Sequence, residues 1–181
     1  IQALKKYEGI PIIFIGRWSV NLEGEIDPER IMGTNNPSMY FGETANLSRT
    51  ELYTEFEKNL KTTVCSVKKH SPVYIMQPIP EMNFSIPRTI GKNLLLGKKN
   101  PELAITFAQY LDRSGDVRNI IQTVAHECGA KILDPIAMLC KSGKCIAQYN
   151  GRSIYRDGDH INEYGNKLLT PMFQEVFSVK K

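Results

Sequence analysis

Three short runs of apolar residues have the pattern of strands that are buried on both faces. They are residues 11–15 (PIIFI), 73–76 (VYIM) and 131–133 (KIL), each followed closely by Gly or Pro. Such runs lack the alternation of apolar and polar residues that marks a half-exposed strand, and they are typical of parallel sheets. The pattern therefore predicts a sheet core of three strands.

The first helix is predicted between the first two of these strands. Ser48 and Glu51 form a capping-box motif, in which each side chain can bond the other residue's backbone N–H. Apolar residues then recur at steps of four, at Leu52, Phe56, Leu60 and Val64. This spacing places them on one face of a helix, which we expect to pack on the sheet.

Two further amphipathic helices are predicted in the second half of the chain. One runs from about Ser114 or Asp116 to Cys128, and the other follows His160, where Pro171 is expected to kink it or end its first half. Strands that alternate with amphipathic helices predict an α/β domain with a mostly parallel sheet. In such a domain the functional site lies at the carboxyl ends of the strands.

Two stretches between the predicted elements are long and weakly periodic. They are residues 21–47 and 79–100, both rich in Pro, Gly and Asn. Long irregular segments in a compact domain are often binding loops. A short helix is predicted inside the second stretch, near residues 90–96.

The composition limits the functional classes. A length of 181 residues fits a single domain, taken as residues 1–181, and its 23 Lys and Arg residues, scattered with a net charge of +4, favour a solvated surface over a nucleic-acid groove. No apolar run approaches the roughly 20 residues that span a bilayer, so no transmembrane segment is predicted. The chain begins with Ile1 and without the features of a signal peptide, so we expect it to be a fragment whose upstream portion is not included.

The four cysteines, Cys65, Cys128, Cys140 and Cys145, do not have the spacing of a zinc site. Cys140 and Cys145 bracket a turn-like tetrapeptide (KSGK), so a local disulfide is predicted, which indicates an oxidising compartment. Two free thiols in a reducing compartment are the alternative. Cys128 lies at an apolar helical position and is predicted to be a small buried hydrophobic residue.

The candidate chemistry lies in the loop before the last predicted helix. Asp157 precedes His160 by three residues, so its carboxylate can reach back to the imidazole Nδ1–H and orient the ring as a general base. A solvated loop that caps the helix is the alternative. A metal site formed by Asp157, Asp159 and His160 is disfavoured because the carboxylate spacing differs from that of an EF-hand, and no metal or other cofactor is expected.

Several motifs in order along the chain resemble SGNH-type domains that are fused to bacterial membrane O-acyltransferases of the acyltransferase-three family. They cover nearly the whole chain, and their order makes the resemblance more specific than any single motif. They are residues 12–19 ending in GRWS, the proline-rich PIPE at 78–81 with Pro87 and Arg88, ILDPIAMLC at 132–140, GKC at 143–145, GRSIYRDGDH at 151–160 and Gly165.

This resemblance implies an SGNH-hydrolase-like three-layer α/β/α sandwich with a Ser-His-Asp triad. By position, Asp157 would orient His160, and His160 would act as general base and then as general acid. The domain would lie on the periplasmic face of the bacterial inner membrane, with Cys140 and Cys145 oxidised. Its partners would be an acylated donor, delivered by the membrane acyltransferase region, and a polysaccharide acceptor that receives an acetyl or similar group.

The sequence departs from the family at the nucleophile. The family's serine lies in a Gly-Asp-Ser motif after the first strand, and no Gly-Asp-Ser occurs in the 181 residues. We therefore expect that strand and its serine to lie upstream. Arg17, Trp18 and Ser19 match a later strand end, where the family would shape the oxyanion hole or substrate pocket, although Ser19 is also the best substitute nucleophile. Residues 33–36 (GTNN) resemble an SGNH block that supplies an Asn donor, but a turn is the simpler interpretation.

Three functional hypotheses follow from these patterns. The leading one is the periplasmic SGNH-like portion of an O-acyltransferase that lacks its own nucleophile in this fragment. The second is a stand-alone carbohydrate esterase of the same fold. The third is a non-catalytic module that binds a glycan or a partner protein.

Overall fold

The computed structural model describes residues 7–26, 37, 47–98 and 102–177. Within those ranges strands and helices alternate along most of the chain. In order they are β1 (Ile12–Phe14), α1 (Trp18–Glu23), α2 (Arg49–Lys68), β2 (Val73–Met76), α3 (Ile86–Leu95), β3 (Ala104–Thr106), α4 (Phe107–Cys128), β4 (Lys131–Leu133), α5 (Ile136–Leu139), β5 (Cys140–Lys141), β6 (Lys144–Ile146), β7 (Gln148–Tyr149), β8 (Arg152–Ser153) and α6 (Glu163–Phe177).

The three strands predicted from the apolar runs form one parallel sheet in the order β1-β2-β4. All four residues of β2 are buried, as expected for the central strand. Val73 and Ile75 point to one face of the sheet and Tyr74 and Met76 to the other, because successive side chains of a strand alternate. The predicted parallel core is therefore confirmed.

Helices cover both faces of this sheet and complete a three-layer α/β/α arrangement. The apolar stripes of α1, α2 and α4 pack together on the face that carries Val73 and Ile75. The other face is covered by α6, through Leu169 and Val176, and by the irregular region before it. Two small antiparallel sheets, β3-β6-β5 and β7-β8, flank this second layer and were not predicted from the sequence.

The bounds of two helices differ from the sequence predictions, and a third helix excludes one of the two outcomes predicted for its proline. The helix α4 begins at Phe107 rather than near Ser114 or Asp116, since Thr106 and Gln109 form a capping box there. The helix α3 begins at Ile86 rather than near residue 90. Pro171 does not end α6, which runs on to Phe177 because apolar residues on both sides of the proline hold it on the core. The capping box of Ser48 and Glu51 at the start of α2 is confirmed.

All four cysteines form disulfides. Cys140 pairs with Cys145 across the antiparallel strands β5 and β6, as predicted. The prediction for Cys128 was wrong, because it is only partly buried and is bonded to Cys65. Cys128 does continue the apolar stripe of α4, but it lies at the margin of the interface with α2, where it meets Cys65. Among the described helices, none is long and apolar enough to cross a membrane.

The two disulfides should contribute unequally to stability. The bond between Cys65 and Cys128 joins residues 63 apart in sequence, whereas Cys140 and Cys145 are 5 apart. Because the longer loop restricts the unfolded chain more, replacing Cys65 and Cys128 with Ser should lower the free energy of unfolding by about 2–4 kcal/mol. The matched pair Cys140→Ser and Cys145→Ser should lose less. Urea unfolding under non-reducing conditions measures both, and equal losses would contradict the prediction.

Candidate active site

The loop that carries Asp157 and His160 is closed at its base by backbone and side-chain bonds. Tyr155 and Ile161 form an isolated antiparallel bridge across it. The Asn162 side chain donates to the carbonyls of Ser153 and Tyr155, and its Oδ1 accepts from the N–H of Gly165 in the first turn of α6. Asn162 thus fixes the loop to the start of the helix, and the loop backbone is held from both ends.

Within this loop the Asp157 carboxylate is bonded on both oxygens. Its Oδ1 accepts from the backbone N–H groups of Asp159, at 3.0 Å, and His160, at 2.8 Å. Its Oδ2 lies 2.9 Å from Nδ1 of the His160 ring. An imidazole held in this way donates from Nδ1 and leaves Nε2 as a proton acceptor. The His160 side chain is 47% exposed, so the ring is accessible to a reactant.

These bonds determine the charge state of Asp157. Partial burial acts to raise the pKa of the carboxyl group, but the two backbone N–H groups and the His160 ring outweigh it and hold the pKa well below its ordinary value. The carboxylate is therefore ionised throughout the neutral range. It can stabilise an imidazolium on His160 without taking up the proton itself.

A second carboxylate also contacts the His160 ring. Asp159 Oδ1 lies 3.1 Å from His160 Nδ1, so this nitrogen faces two carboxylates. The other oxygen of Asp159 accepts a hydrogen bond from the guanidinium of Arg17. Burial lowers the pKa of Arg17, but the pairing with Asp159 outweighs that effect and raises it. An ion pair thus connects the end of β1 to the loop that carries His160.

The structure separates the three residues of the Arg17-Trp18-Ser19 stretch. Arg17 reaches Asp159, whereas Trp18 lies under the strand ends, where its indole N–H donates to the Met76 carbonyl at 2.9 Å. Ser19 is fully buried inside α1 and bonds the hydroxyl of Ser114 at 3.1 Å. A buried hydroxyl in a helix interface is not available to a substrate, so the geometry does not support Ser19 as a substitute nucleophile.

The proline-rich loop after β2 is fixed against the loop that carries Asp157 and His160. The buried hydroxyls of Tyr110 and Tyr155 donate to the carbonyls of Pro78 and Pro80, both at 2.8 Å. The N–H of Met82 donates to the carbonyl of Gly158 at 2.7 Å. A Cβ at Gly158 would approach the Met82 carbonyl to 2.9 Å, so the two loops are in contact at a distance that only glycine allows.

A buried ion pair lies behind this contact. Glu81 Oε2 accepts from Nε of Arg113 at 2.9 Å, and Arg113 also bonds the carbonyl of Gly24. Burial raises the pKa of Glu81 despite the opposing effect of Arg113. The pair joins α4, the proline-rich loop and the end of α1, so it supports the frame around the site.

A cavity of about 410 Å³ opens beside His160 at the carboxyl ends of β1 and β2. Its wall is mainly apolar and includes Ile15, Ile79, Leu169 and Phe173, and the polar side chains of Arg17, Glu81, Asp159 and His160 also line it. None of the residues that line it within the described part of the chain is Ser, Thr or Cys. A second cavity on the other side of the Asp157–His160 pair includes one hydroxyl, that of Ser85.

Asp157, Asp159 and His160 also form the cluster that could bind a metal ion. Ligand atoms of Asp157, Asp159 and His160 lie within 4.8 Å of one another, so the cluster could hold an ion. However, Asp157 already bonds two backbone N–H groups and the His160 ring, and Asp159 already pairs with Arg17.

Residues 33–36, which resemble the SGNH block that supplies an Asn donor, lie outside the described residues.

The contacts of several site residues were not predicted from the sequence. Asp159, Glu81, Tyr110 and Tyr155 bond groups in distant segments, which no local spacing reveals. The only local signal was the Asn three residues before Gly165, at the start of a helix, which is a capping pattern.

Comparisons with known proteins give matches of two kinds. A family model described as the SGNH domain fused to AT3 domains matches residues 1–175. Among solved structures, the periplasmic domain of a lipopolysaccharide acetyltransferase from Salmonella ser. Paratyphi A matches with a TM-score of 0.57 and 15% identity. The match covers 97% of this chain and 59% of that chain, and at this identity it shows the fold alone. Curated protein sequences give no match.

Asp157 should give the fold an acid-sensitive contribution to stability. Because its pKa is lowered on folding from the ordinary 3.8, the carboxylate stabilises the fold above that value, and this contribution is lost as the pH falls through the lowered pKa. The difference in free energy of unfolding between wild type and Asp157→Asn should shrink as the pH falls below about pH 4. Urea unfolding at each pH measures it. A constant difference down to about pH 2 would contradict the assigned bonds.

Proposed function

Because the chain belongs to the family of SGNH domains that are fused to AT3 domains, we propose that it is the acyl-transfer module of a bacterial O-acyltransferase. In this proposal it works on the periplasmic face of the inner membrane. It takes an acetyl or similar group that the membrane acyltransferase region delivers, and transfers the group to a hydroxyl of a surface polysaccharide. The observation that carries the proposal is the Asp157–His160 pair, with an exposed ring beside a cavity.

The proposed chemistry uses His160 twice. Its Nε2 takes the proton of a serine hydroxyl as that oxygen attacks the acyl carbonyl of the donor, and it returns the proton to the leaving group as an acyl-serine forms. It then takes the proton of a sugar hydroxyl, which attacks the acyl-serine and releases the serine with that proton. Asp157 stays ionised and stabilises the imidazolium in both steps.

We propose that the serine comes from a segment outside these 181 residues. In support, the Gly-Asp-Ser motif does not occur in the sequence, and Ser19 is buried in a helix interface. The first cavity is lined by no hydroxyl or thiol side chain among the residues that the structure describes. Ser85 in the second cavity is the remaining candidate there, since it shares that cavity with His160.

The free edge of the sheet supports the same proposal. Within the described residues β1 pairs only with β2, and its other edge has no partner strand. Ile15, directly after β1, is 61% exposed at the mouth of the first cavity. An added parallel strand along β1 would bring its carboxyl end to this cavity, because parallel strands end at the same side of a sheet. A serine at that end would face His160.

The catalytic hypothesis is tested by comparing this chain with a longer version that includes the residues encoded before Ile1. The longer version should hydrolyse p-nitrophenyl acetate and be labelled by a fluorophosphonate probe, whereas the 181-residue chain should do neither. Asp157→Asn and His160→Ala should each lower the activity of the longer version by about 10³- to 10⁴-fold. Ser19→Ala should retain activity, provided that its melting temperature is unchanged.

Two outcomes would contradict this proposal. Strong labelling of the 181-residue chain, abolished by Ser85→Ala, would place the nucleophile within these residues. Unchanged acyl transfer to polysaccharide by the His160→Ala form of the longer version would favour a module that only binds a glycan or a partner. A stand-alone esterase would instead hydrolyse an acetylated polysaccharide without transferring the group to an acceptor.

The Arg17–Asp159 ion pair should act as a positioning element for His160. In the longer version, Asp159→Asn should lower kcat by about 10- to 100-fold with little change in KM, because the ring loses one of the two carboxylates that hold it. Arg17→Lys should retain more activity than Arg17→Met, since Lys keeps the charge. Glu163→Gln, which breaks the exposed pair with Lys167, is the control and should have no effect. An Asp159→Asn enzyme with wild-type kcat would contradict this role.

A further inference from the structure

Helix α3 is buried at its first residue, near the candidate active site, and exposed at its last ones. Ile86, Ile90 and Leu94 follow one another at steps of four, so they lie on one face of the helix. Ile86 is fully buried, Ile90 is half-buried against the core, and Leu94 is 63% exposed. The apolar stripe therefore continues past the point where the domain can cover it.

The end of this helix presents three consecutive leucines to solvent. Leu94, Leu95 and Leu96 are 63%, 89% and 56% exposed, and Gly97 then reverses the chain with a positive φ of 62°. We call residues 94–96 the leucine tip. A run of exposed large apolar residues is rare on a soluble domain without a functional reason, because it promotes aggregation.

Positive charge surrounds the leucine tip. Residues 86–99 (IPRTIGKNLLLGKK) contain four Lys or Arg residues and no Asp or Glu. Lys92 and Lys98, on either side of the tip, are exposed. Over the whole chain, Asp and Glu nearly balance Lys and Arg, at 19 against 23, so this stretch is unusually one-sided.

We propose that the leucine tip inserts into the surface of a bilayer that contains anionic phospholipid. Leucine side chains can enter the boundary between headgroups and acyl chains, while Lys92 and Lys98 contact the phosphates. A fluid bilayer accommodates a convex tip, whereas a protein partner would need a groove shaped to three flexible side chains. Bilayer binding by the tip requires only its exposure and the surrounding charge, so it does not depend on whether the domain is catalytic.

The start of the same helix is attached to the candidate active site. The N–H of Ile86 approaches the carbonyl of Asp157 at 3.4 Å, and Ser85 lines the cavity that also contains His160. The helix is ten residues long, about 15 Å, and the leucine tip lies at its other end. Docking through the tip would hold the site at a fixed distance from the bilayer, where an acyl donor emerging from the membrane could reach it.

Vesicle co-sedimentation of the 181-residue chain tests this inference. Wild type should bind vesicles of phosphatidylglycerol and phosphatidylethanolamine, and it should bind phosphatidylcholine vesicles much less. Replacing all three leucines of the tip with Ser should weaken binding to anionic vesicles by at least about tenfold, because the apolar insertion is lost. Lys92→Gln with Lys98→Gln should weaken it by about fivefold per charge at low salt.

The control for nonspecific hydrophobic binding is Leu111→Ser. It removes an exposed leucine from α4, and this variant should bind vesicles as wild type does. All variants should keep the wild-type melting temperature, because the leucine tip is outside the core. The proposal would be overturned if wild type did not bind anionic vesicles, or if the variant with three Ser residues in the tip bound them as strongly as wild type. A wild-type dimer that the same variant dissociates, without vesicle binding, would instead assign the tip to self-association.

Discussion

The candidate site depends on the hydrogen bonds of one carboxylate. Asp157 uses Oδ1 to organise the backbone of its own loop and Oδ2 to orient the His160 ring, so a single side chain fixes both the turn and the direction of the imidazole. The same bonds lower its pKa and keep it ionised, which an imidazolium partner requires. Two further bonds hold the loop in place. The Asn162 side chain bonds the carbonyl of Ser153 at its base, and the N–H of Met82 in the proline-rich loop bonds the carbonyl of Gly158.

The strands of the parallel sheet and the helix α2 could be predicted because their signals are local. A run such as VYIM predicts both a strand and its burial. The spacing of Leu52, Phe56, Leu60 and Val64 predicts a helix and the face that it buries. The start of α4 could not be placed from the apolar stripe, because its first turns contact different partners from its last turns. Tyr110 there belongs to one core cluster, and Val117 and Ile121 belong to the other.

The candidate site was predictable only as far as its residues are neighbours in sequence. Asp157 and His160 are three residues apart, so their contact follows from a turn, and the structure places them at bonding distance. Arg17 and Asp159 are 142 residues apart, and only the folded sheet brings the end of β1 to the loop before α6. Cys65 and Cys128 illustrate the same limit, since neither residue carries a local sign that α2 and α4 meet there.

The spacing of the two disulfides also has a consequence for how the chain oxidises. Four cysteines can pair in three ways, and a random search among them would trap misfolded species. Closing the loop between Cys140 and Cys145 costs about 0.8 kcal/mol less entropy than closing the shortest non-native loop, between Cys128 and Cys140, a roughly fourfold kinetic preference in a flexible chain. Once the short bond has formed, only the native partners remain. The order of loop closure therefore favours the correct pairing from the first bond onward.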